Sequence, residues 1–168
     1  MADPVVEVST NFGTFEITLD PGKAPTSVAN FLAYVDSKHY DGTIFHRVIK
    51  GFMAQGGGYD EKYEKRPTKE PVQNEADNGL KNTRGTVAMA RTSDPHSATA
   101  QFFVNVVDND FLDHKEKSGS GWGYTVFGKV TNGMDVVDKI VGVETGPAGP
   151  FQKDAPKTPI VIKSAKRA

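Results

Sequence analysis

The feature that most constrains the fold of this chain is a series of short β-prone runs, most of them closed by glycine, proline or asparagine. The first two, residues 5–9 and 14–19, are separated by Asn11-Phe12-Gly13, which is a good hairpin signal. The later runs lie at residues 43–49, 52–55, 85–91, 100–105, 124–130 and 159–162, with a Gly/Pro loop at 146–150. About seven or eight short strands with Gly/Pro turns are typical of a closed barrel.

Two other segments have the period of an amphipathic helix. In each, apolar residues three and four positions apart form one stripe that faces a core. The stripes are Val28, Phe31, Leu32 and Val35, after a start at Pro25-Thr26, and Met134, Val137, Ile140 and Val141. The sequence therefore predicts two helices packed on a mainly β protein.

Composition narrows the function. A chain of 168 residues with 37% hydrophobic residues is long enough for one domain with its own core, which we expect to span 1–168. The formal net charge of -1 argues against a nucleic-acid partner. The absence of cysteine excludes disulfides and thiol nucleophiles, and the four histidines lack metal-ligand spacing. We therefore expect no metal and no cofactor.

The first residues, Met1-Ala2-Asp3-Pro4, are not a basic segment followed by an apolar run, so we expect no signal peptide. No apolar stretch approaches the roughly 18 residues that span a bilayer, so we expect no membrane partner. These observations predict a cytoplasmic protein. A periplasmic protein whose leader has been removed would look the same.

The candidate chemistry is concentrated in residues 43–58. Two apolar runs flank a turn at Lys50-Gly51, and Met53 and Gln55 are two residues apart, which puts them on one face of a strand. Gln101 and Phe103 repeat this polar and apolar pairing. An arginine, Arg47, lies in the first run.

Less specific interpretations of these residues remain open at this point. An arginine on a strand is usually a surface ion-pair partner, and large apolar side chains such as Phe52 and Met53 are mostly core residues. The three glycines at 56–58 lack the lysine and helix start of a phosphate-binding loop, which favours a close backbone approach instead.

Several motifs, in the right order, resemble the cyclophilin family of peptidyl-prolyl isomerases. They are residues 45–57 (FHRVIKGFMAQGG), 89–91 (MAR), 97–103 (SATAQFF), 111–113 (FLD), 126–130 (VFGKV) and 133–137 (GMDVV). Together with the first helix, the likeness covers nearly the whole chain. It is nearest to the bacterial type, on the residues Ala90-Arg91-Thr92 and on 95–100 (PHSATA).

The resemblance implies one cyclophilin-like domain over 1–168: a closed eight-stranded antiparallel β-barrel capped by two α-helices, with a peptide groove on its outer face. By motif position, Arg47 is the catalytic arginine, and Gln55 and Phe52 act beside it. Substrate-binding positions are His46, Met53, Ala90, Arg91, Gln101, Phe103, Phe111, Leu112 and Tyr124. The resemblance also implies a proline pocket, formed by Phe52, Met53, Phe103 and Leu112.

Two positions depart from many eukaryotic members. Phe111 stands where those members carry tryptophan, and Tyr124 stands where they carry histidine. The first change removes an indole N–H donor that, in those members, bonds the drug cyclosporin A. We therefore expect only weak cyclosporin A binding.

The sequence favours an enzyme that rotates X-Pro peptide bonds in peptides and unfolded proteins and so assists folding, acting as a monomer. Such a reaction needs a donor aimed at the prolyl nitrogen, which arginine supplies. The alternative is a chaperone-like module that binds proline-containing peptides with incidental turnover. A third hypothesis, a carrier barrel for a small ligand, requires an unfilled barrel interior.

Overall fold

The computed structural model of the chain describes residues 3–168, so Met1 and Ala2 of the expected domain lie outside the described residues. This part of the chain contains ten β-strands and two α-helices. The strands are β1 (Val5–Thr10), β2 (Gly13–Leu19), β3 (Arg47–Ile49), β4 (Met53–Gly56), β5 (Thr86–Met89), β6 (Phe102–Asn105), β7 (Val126–Asn132), β8 (Thr145–Ala148), β9 (Phe151–Pro156) and β10 (Ile162–Arg167). The helices are α1 (Pro25–Asp36) and α2 (Met134–Val141).

Eight of the strands form one curled antiparallel sheet in the order β10-β1-β2-β7-β5-β6-β4-β3. Its two end strands, β10 and β3, do not pair with each other as strands. Instead, backbone hydrogen bonds join residues 42–45 to residues 160–162. The N–H of Gly42 donates to the carbonyl of Ile162 (2.8 Å), the N–H of Ile162 to the carbonyl of Thr43 (2.7 Å), and the N–H of Phe45 to the carbonyl of Ile160 (3.0 Å). The expected eight-stranded barrel is confirmed, but "closed" overstates it.

Both predicted helices are present and cover the sheet. Helix α1 begins at Pro25, where a missing backbone N–H costs nothing. Its next two N–H groups, on Thr26 and Ser27, donate to the carboxylate of Glu75 at 3.3 and 2.7 Å. Because Glu75 lies almost fifty residues away in the sequence, α1 is capped by the fold and not by its own flanking residues.

The interior of the sheet is filled by aromatic and branched side chains. Phe31 of α1 packs edge-on against Phe102 at 5.6 Å and lies 5.1 Å from Phe127. Both partners are fully buried, and so are Phe15 and Tyr40. A filled interior leaves no room for a ligand, so the carrier-barrel hypothesis is wrong.

The two faces of the sheet carry different clusters because side chains alternate along a strand. On β4 and β6, Ala54, Phe102 and Val104 join the interior core. Their neighbours Met53 and Phe103 point outward into a second, smaller cluster. The outer face therefore has its own apolar surface, on which the candidate site is built.

Two sequence predictions differ from the structure. The Gly/Pro segment at 146–150 is not one loop: residues 146–148 belong to β8, and 149–150 form the turn of a separate hairpin of β8 and β9. The last strand is Ile162–Arg167 and not 159–162, a stretch in which Val161 forms only an isolated bridge to Ile44. The strand β10 is decided by its partner β1 at the other end of the chain, whereas β8 and β9 pair locally although glycine and proline are unusual in strands. Within residues 3–168 no helix is long and apolar enough to cross a membrane.

Candidate active site

The turn between β3 and β4 sets the position of the first two polar side chains. Gly51 adopts a left-handed φ of 76°, and the N–H of Phe52 donates to the carbonyl of Ile49 at 3.0 Å. This turn fixes an antiparallel register in which Arg47 lies directly opposite Gln55. Opposed residues project from the same face, and Nη1 of Arg47 lies 3.4 Å from Oε1 of Gln55.

A third polar side chain continues this row. Gln55 is paired with Phe103 of β6, and Gln101 lies two residues before Phe103 on the same side. Nε2 of Gln55 donates to Oε1 of Gln101 at 2.9 Å. The bond holds the amide of Gln55 with its oxygen toward Arg47 and one N–H toward Gln101.

Because Gly58 has no side chain, the side chain of Gln101 can lie against its backbone. A Cβ atom at this position would lie 2.5 Å from Cγ and Nε2 of Gln101, closer than real Cβ contacts allow. The chain at 56–58 therefore makes the close approach that its three glycines predicted.

Beside the polar row lies an apolar notch. Met53, Phe103 and Leu112 are buried, with Phe52 and Tyr124 packed against them. The ring of Tyr124 meets Phe103 edge-on at 5.7 Å. Its apolar and aromatic side chains have the chemistry to take a small apolar ring.

A buried network of asparagines, which the sequence did not reveal, fixes the backbone around this notch. Nδ2 of Asn109 donates to the carbonyl of Phe52 (3.0 Å) and to Oδ1 of Asn105 (2.8 Å). Nδ2 of Asn105 donates to Oδ1 of Asn82 (3.0 Å), and Nδ2 of Asn82 to the carbonyl of Leu112 (3.2 Å). Two walls of the notch, at Phe52 and Leu112, are thus joined through hydrogen-bonded buried side chains, which rigidify a site.

Eleven of the twelve site residues predicted from the sequence line one cavity of about 290 Å³. They are His46, Arg47, Phe52, Met53, Gln55, Ala90, Arg91, Gln101, Phe103, Leu112 and Tyr124. The twelfth, Phe111, lies outside the lining: its side chain is 59% exposed, and its ring stacks on Phe52 at 5.7 Å.

Two lining residues, Tyr59 and Phe151, were missed by the sequence analysis. Phe151 begins β9 and stacks on the imidazole of His46 at 5.0 Å, while Tyr59 meets His46 edge-on at 4.8 Å. Phe151 is the one aromatic residue of a Gly/Pro stretch, a signal that could have marked it as packed and not as part of a loop.

The two arginines of the cavity differ in how many contacts their guanidinium groups make within the protein. Arg91 is held by hydrogen bonds to the carbonyls of Gly123 and Thr92, and its guanidinium lies over the ring of Tyr124 at 4.5 Å. Arg47 is exposed, and it takes part in none of the four ion pairs of the described chain. Its guanidinium is therefore available to an incoming ligand.

His46 is the most perturbed titratable group of the site. Burial, followed by the neighbouring Arg47 cation, lowers the pKa of His46 from its ordinary value of 6.5 to about 4. Its Nδ1 is buried without a hydrogen-bond partner within residues 3–168. The imidazole is thus neutral at neutral pH and serves the cavity as an aromatic surface. Within the described chain, no three or more His, Cys, Asp or Glu side chains come together in a group that could hold a metal ion.

The sequence model of the family described as "Cyclophilin type peptidyl-prolyl cis-trans isomerase/CLD" matches residues 5–167, so it includes every residue of this cavity. The chain belongs to the cyclophilin family. The enzyme class predicted from the sequence motifs, peptidyl-prolyl cis-trans isomerase, is thereby confirmed.

Curated bacterial cyclophilins are similar along almost their whole length. Peptidyl-prolyl cis-trans isomerase cyp18 of Streptomyces antibioticus is 60% identical over 161 residues, which cover 96% of each chain. Peptidyl-prolyl cis-trans isomerase B of Escherichia coli K12 is 58% identical over 160 residues, covering 95% of this chain and 97% of that one. The similarity to bacterial relatives agrees with the bacterial type that the motifs predicted.

Solved cyclophilin structures share the fold. A cyclophilin type peptidyl-prolyl cis-trans isomerase of Cryptosporidium parvum superposes with a TM-score of 0.78 at 26% identity, covering 99% of this chain and 98% of that one. A second crystal structure of that protein, in the presence of the dipeptide Ala-Pro, superposes with a TM-score of 0.77 at 27% identity, covering 98% of each chain.

The depressed pKa of His46 predicts that this cyclophilin loses stability in mild acid. The pKa is lower in the folded than in the unfolded protein, so the stabilisation is complete above pH 6.5 and is lost as the pH falls toward 4. Between pH 7.5 and 4.5, His46 should contribute about 2–3 kcal/mol to the fall in the free energy of unfolding. His39, whose pKa burial also lowers, adds a fall of the same sign.

Urea unfolding of wild type and His46→Gln at both pH values checks this, because His39 is present in both proteins. The variant should lose about 2–3 kcal/mol less than wild type on acidification. An equal loss in the two proteins would contradict the prediction.

Gly58→Ala should displace Gln101 and remove its hydrogen bond to Gln55. A hydrogen bond contributes about 1 kcal/mol, so kcat/KM for an X-Pro peptide should fall about fivefold. Gly119→Ala is the matched control, because a Cβ atom there meets nothing within 4 Å and its φ is not left-handed. Wild-type kcat/KM in Gly58→Ala would show that the hydrogen bond between Gln101 and Gln55 has no influence on turnover.

Proposed function

We propose that this cyclophilin binds proline-containing peptides and unfolded proteins in the cavity, and that Arg47 catalyses rotation of the X-Pro bond and thereby assists folding. The observation that carries this proposal is the exposed guanidinium of Arg47, free of any carboxylate partner in residues 3–168 and adjoining an apolar notch in one cavity. The Cryptosporidium relative, crystallised in the presence of Ala-Pro, supports a proline peptide as the ligand class.

The reaction requires no covalent chemistry. The peptide C–N bond is stiff because the nitrogen lone pair is delocalised into the carbonyl, with a barrier of about 18–20 kcal/mol. As the bond twists, that lone pair becomes localised on the prolyl nitrogen and can accept a hydrogen bond. A donor placed at the nitrogen therefore lowers the barrier without any nucleophile, metal or cofactor.

Arginine suits the role because it is permanently charged and presents rigid N–H donors. Its hydrogen bond to the nitrogen is strong in the twisted amide and almost absent in the planar one, and only such a difference accelerates a reaction. The contact with Oε1 of Gln55 at 3.4 Å limits the positions open to the guanidinium.

The apolar notch binds the proline ring of the substrate. We propose that Phe52, Met53, Phe103 and Leu112 hold the pyrrolidine ring and exclude water, which favours the polar planar amide. Burial of Met53 and Phe103 supports a preformed pocket, since neither side chain has to leave water when a ring enters.

The remaining polar groups hold the peptide on either side. We propose that Gln55 binds a substrate carbonyl and that the backbone of Ala90 and Arg91 binds the flanking peptide beside Gln101. The ring of Tyr124, which also lines the cavity, lies under the Arg91 guanidinium. With one half of the peptide fixed, rotation about the X-Pro bond occurs in the other half.

A monomer is the proposed state of the protein. Phe111 is the single exposed large hydrophobic side chain of the described chain, which leaves no extended apolar patch for a second copy. A cytoplasmic location stays a prediction. The alternative, a chaperone-like module with incidental turnover, does not require a free arginine over the notch, and the next experiment separates the two.

Arg47→Ala should lower kcat/KM by about 10²–10³, by analogy with the loss of one transition-state donor. Peptide affinity should fall much less, because the notch remains intact. NMR exchange measures the turnover of an Ala-Pro peptide, and chemical-shift titration measures its binding. Lys50→Ala, an exposed cation in the adjacent turn, is the control and should keep wild-type values. Near-normal turnover in Arg47→Ala would favour the binding-module alternative.

Cyclosporin A should bind weakly, because the phenyl ring of Phe111 has no N–H donor to offer the drug. Titration calorimetry should give no nanomolar affinity for wild type and a clearly tighter affinity for Phe111→Trp. Nanomolar binding to wild type would contradict this expectation.

A further inference from the structure

One part of the cavity takes no part in the mechanism described above. His46, Tyr59 and Phe151, hereafter the aromatic wall, line the cavity next to Arg47. Phe151 lies nearly parallel to His46, with ring centroids 5.0 Å apart and planes inclined by 27°, and Tyr59 meets both of these rings edge-on or nearly so. Three rings in mutual contact form one continuous apolar surface.

The aromatic wall lies on the opposite side of the cavity from Ala90 and Arg91. The strands run in the order β5-β6-β4-β3 across the site, with Ala90 just after β5 and Arg47 on β3. Phe151 comes from β9, which packs against β3 and belongs to the separate hairpin β8–β9. A peptide that crosses the notch from the Ala90 end therefore meets the aromatic wall after passing Arg47.

The chemistry of the aromatic wall is that of a side-chain pocket. Tyr59 and Phe151 are half-buried and keep part of their surface toward the cavity. His46 is 3% exposed, so it backs the wall and does not offer a charged contact. Aromatic rings of this kind take up another ring or a large aliphatic side chain by stacking and edge contacts, and they offer a carboxylate no ion-pair partner.

We propose that the aromatic wall is a specificity site, with Phe151 as its determining residue, for an aromatic or large aliphatic side chain flanking the proline of the substrate. The inference rests on the proposed function in one respect: the peptide must pass through this cavity. It does not depend on Arg47 being the catalytic donor.

A purely structural role for Phe151, as a cover for His46, makes a different prediction. Loss of a cover would lower turnover of every substrate by the same factor. Loss of a specificity contact lowers turnover of the preferred substrate selectively. The ratio of kcat/KM between two peptides therefore separates the roles, whereas activity on one peptide does not.

The experiment measures cis/trans exchange by NMR, without a coupling protease, on peptides of the form Ala-X-Pro-Z-Ala with phenylalanine, alanine or glutamate at X or at Z. In wild type, phenylalanine should be preferred over alanine at one of the two positions. In Phe151→Ala that preference should shrink about threefold to tenfold, the range for one aromatic contact. Lys153→Ala, an exposed residue of the same hairpin, is the control and should keep the wild-type ratio.

Two further variants guard against a folding defect in Phe151→Ala. Phe151→Leu keeps an apolar side chain and should retain part of the preference, and Phe151→Lys should shift it toward glutamate at the same position. Wild-type selectivity ratios in all three variants, with or without a uniform fall in rate, would overturn the proposal. An intact preference for phenylalanine together with an active Arg47→Ala protein would leave the aromatic wall standing and reject only the proposed catalytic role.

Discussion

The site depends on the register of one short antiparallel pair. Because the turn at Gly51 places Arg47 directly opposite Gln55, the guanidinium of Arg47 and the side-chain amide of Gln55 project side by side from the outer face of the sheet. If β4 slipped by one residue against β3, Gln55 would turn toward the interior while Arg47 stayed on the outer face, and the pair would be lost. The next pairing, Gln55 with Phe103, then fixes the apolar notch beside them.

Side chains point alternately to the two faces of the sheet, so the same strands supply both the stabilising core and the cavity. Phe102 and Val104 fill the interior, while Phe103 between them faces the cavity. The filled interior makes the outer face rigid, and the asparagines at 82, 105 and 109 hold the irregular backbone that completes it. The proposed reaction needs this rigidity, since the hydrogen-bond donor and the apolar notch have to be in position before the peptide bond twists.

Local patterns in the sequence were enough for both helices, the first hairpin and the faces of Met53 and Gln55. They failed where the decisive partner is remote, and where glycine and proline lie in a strand pair. The hairpin β8–β9 has glycine and proline at its centre, and only pairing between Thr145 and Pro156 makes it a strand pair. Phe151 and Tyr59 belong to the cavity through contacts with His46, which lies outside their local sequence. The buried asparagines likewise find most of their partners far along the chain, from 23 residues away for Asn105 and Asn82 to 57 for Asn109 and Phe52.

The most direct test of the central claim is a crystal structure of this chain with a bound X-Pro peptide. The account predicts the pyrrolidine ring in the notch of Met53, Phe103 and Leu112, and a guanidinium nitrogen of Arg47 about 3–3.5 Å from the prolyl nitrogen. A proline ring seated elsewhere, or an Arg47 directed away from that nitrogen, would contradict it.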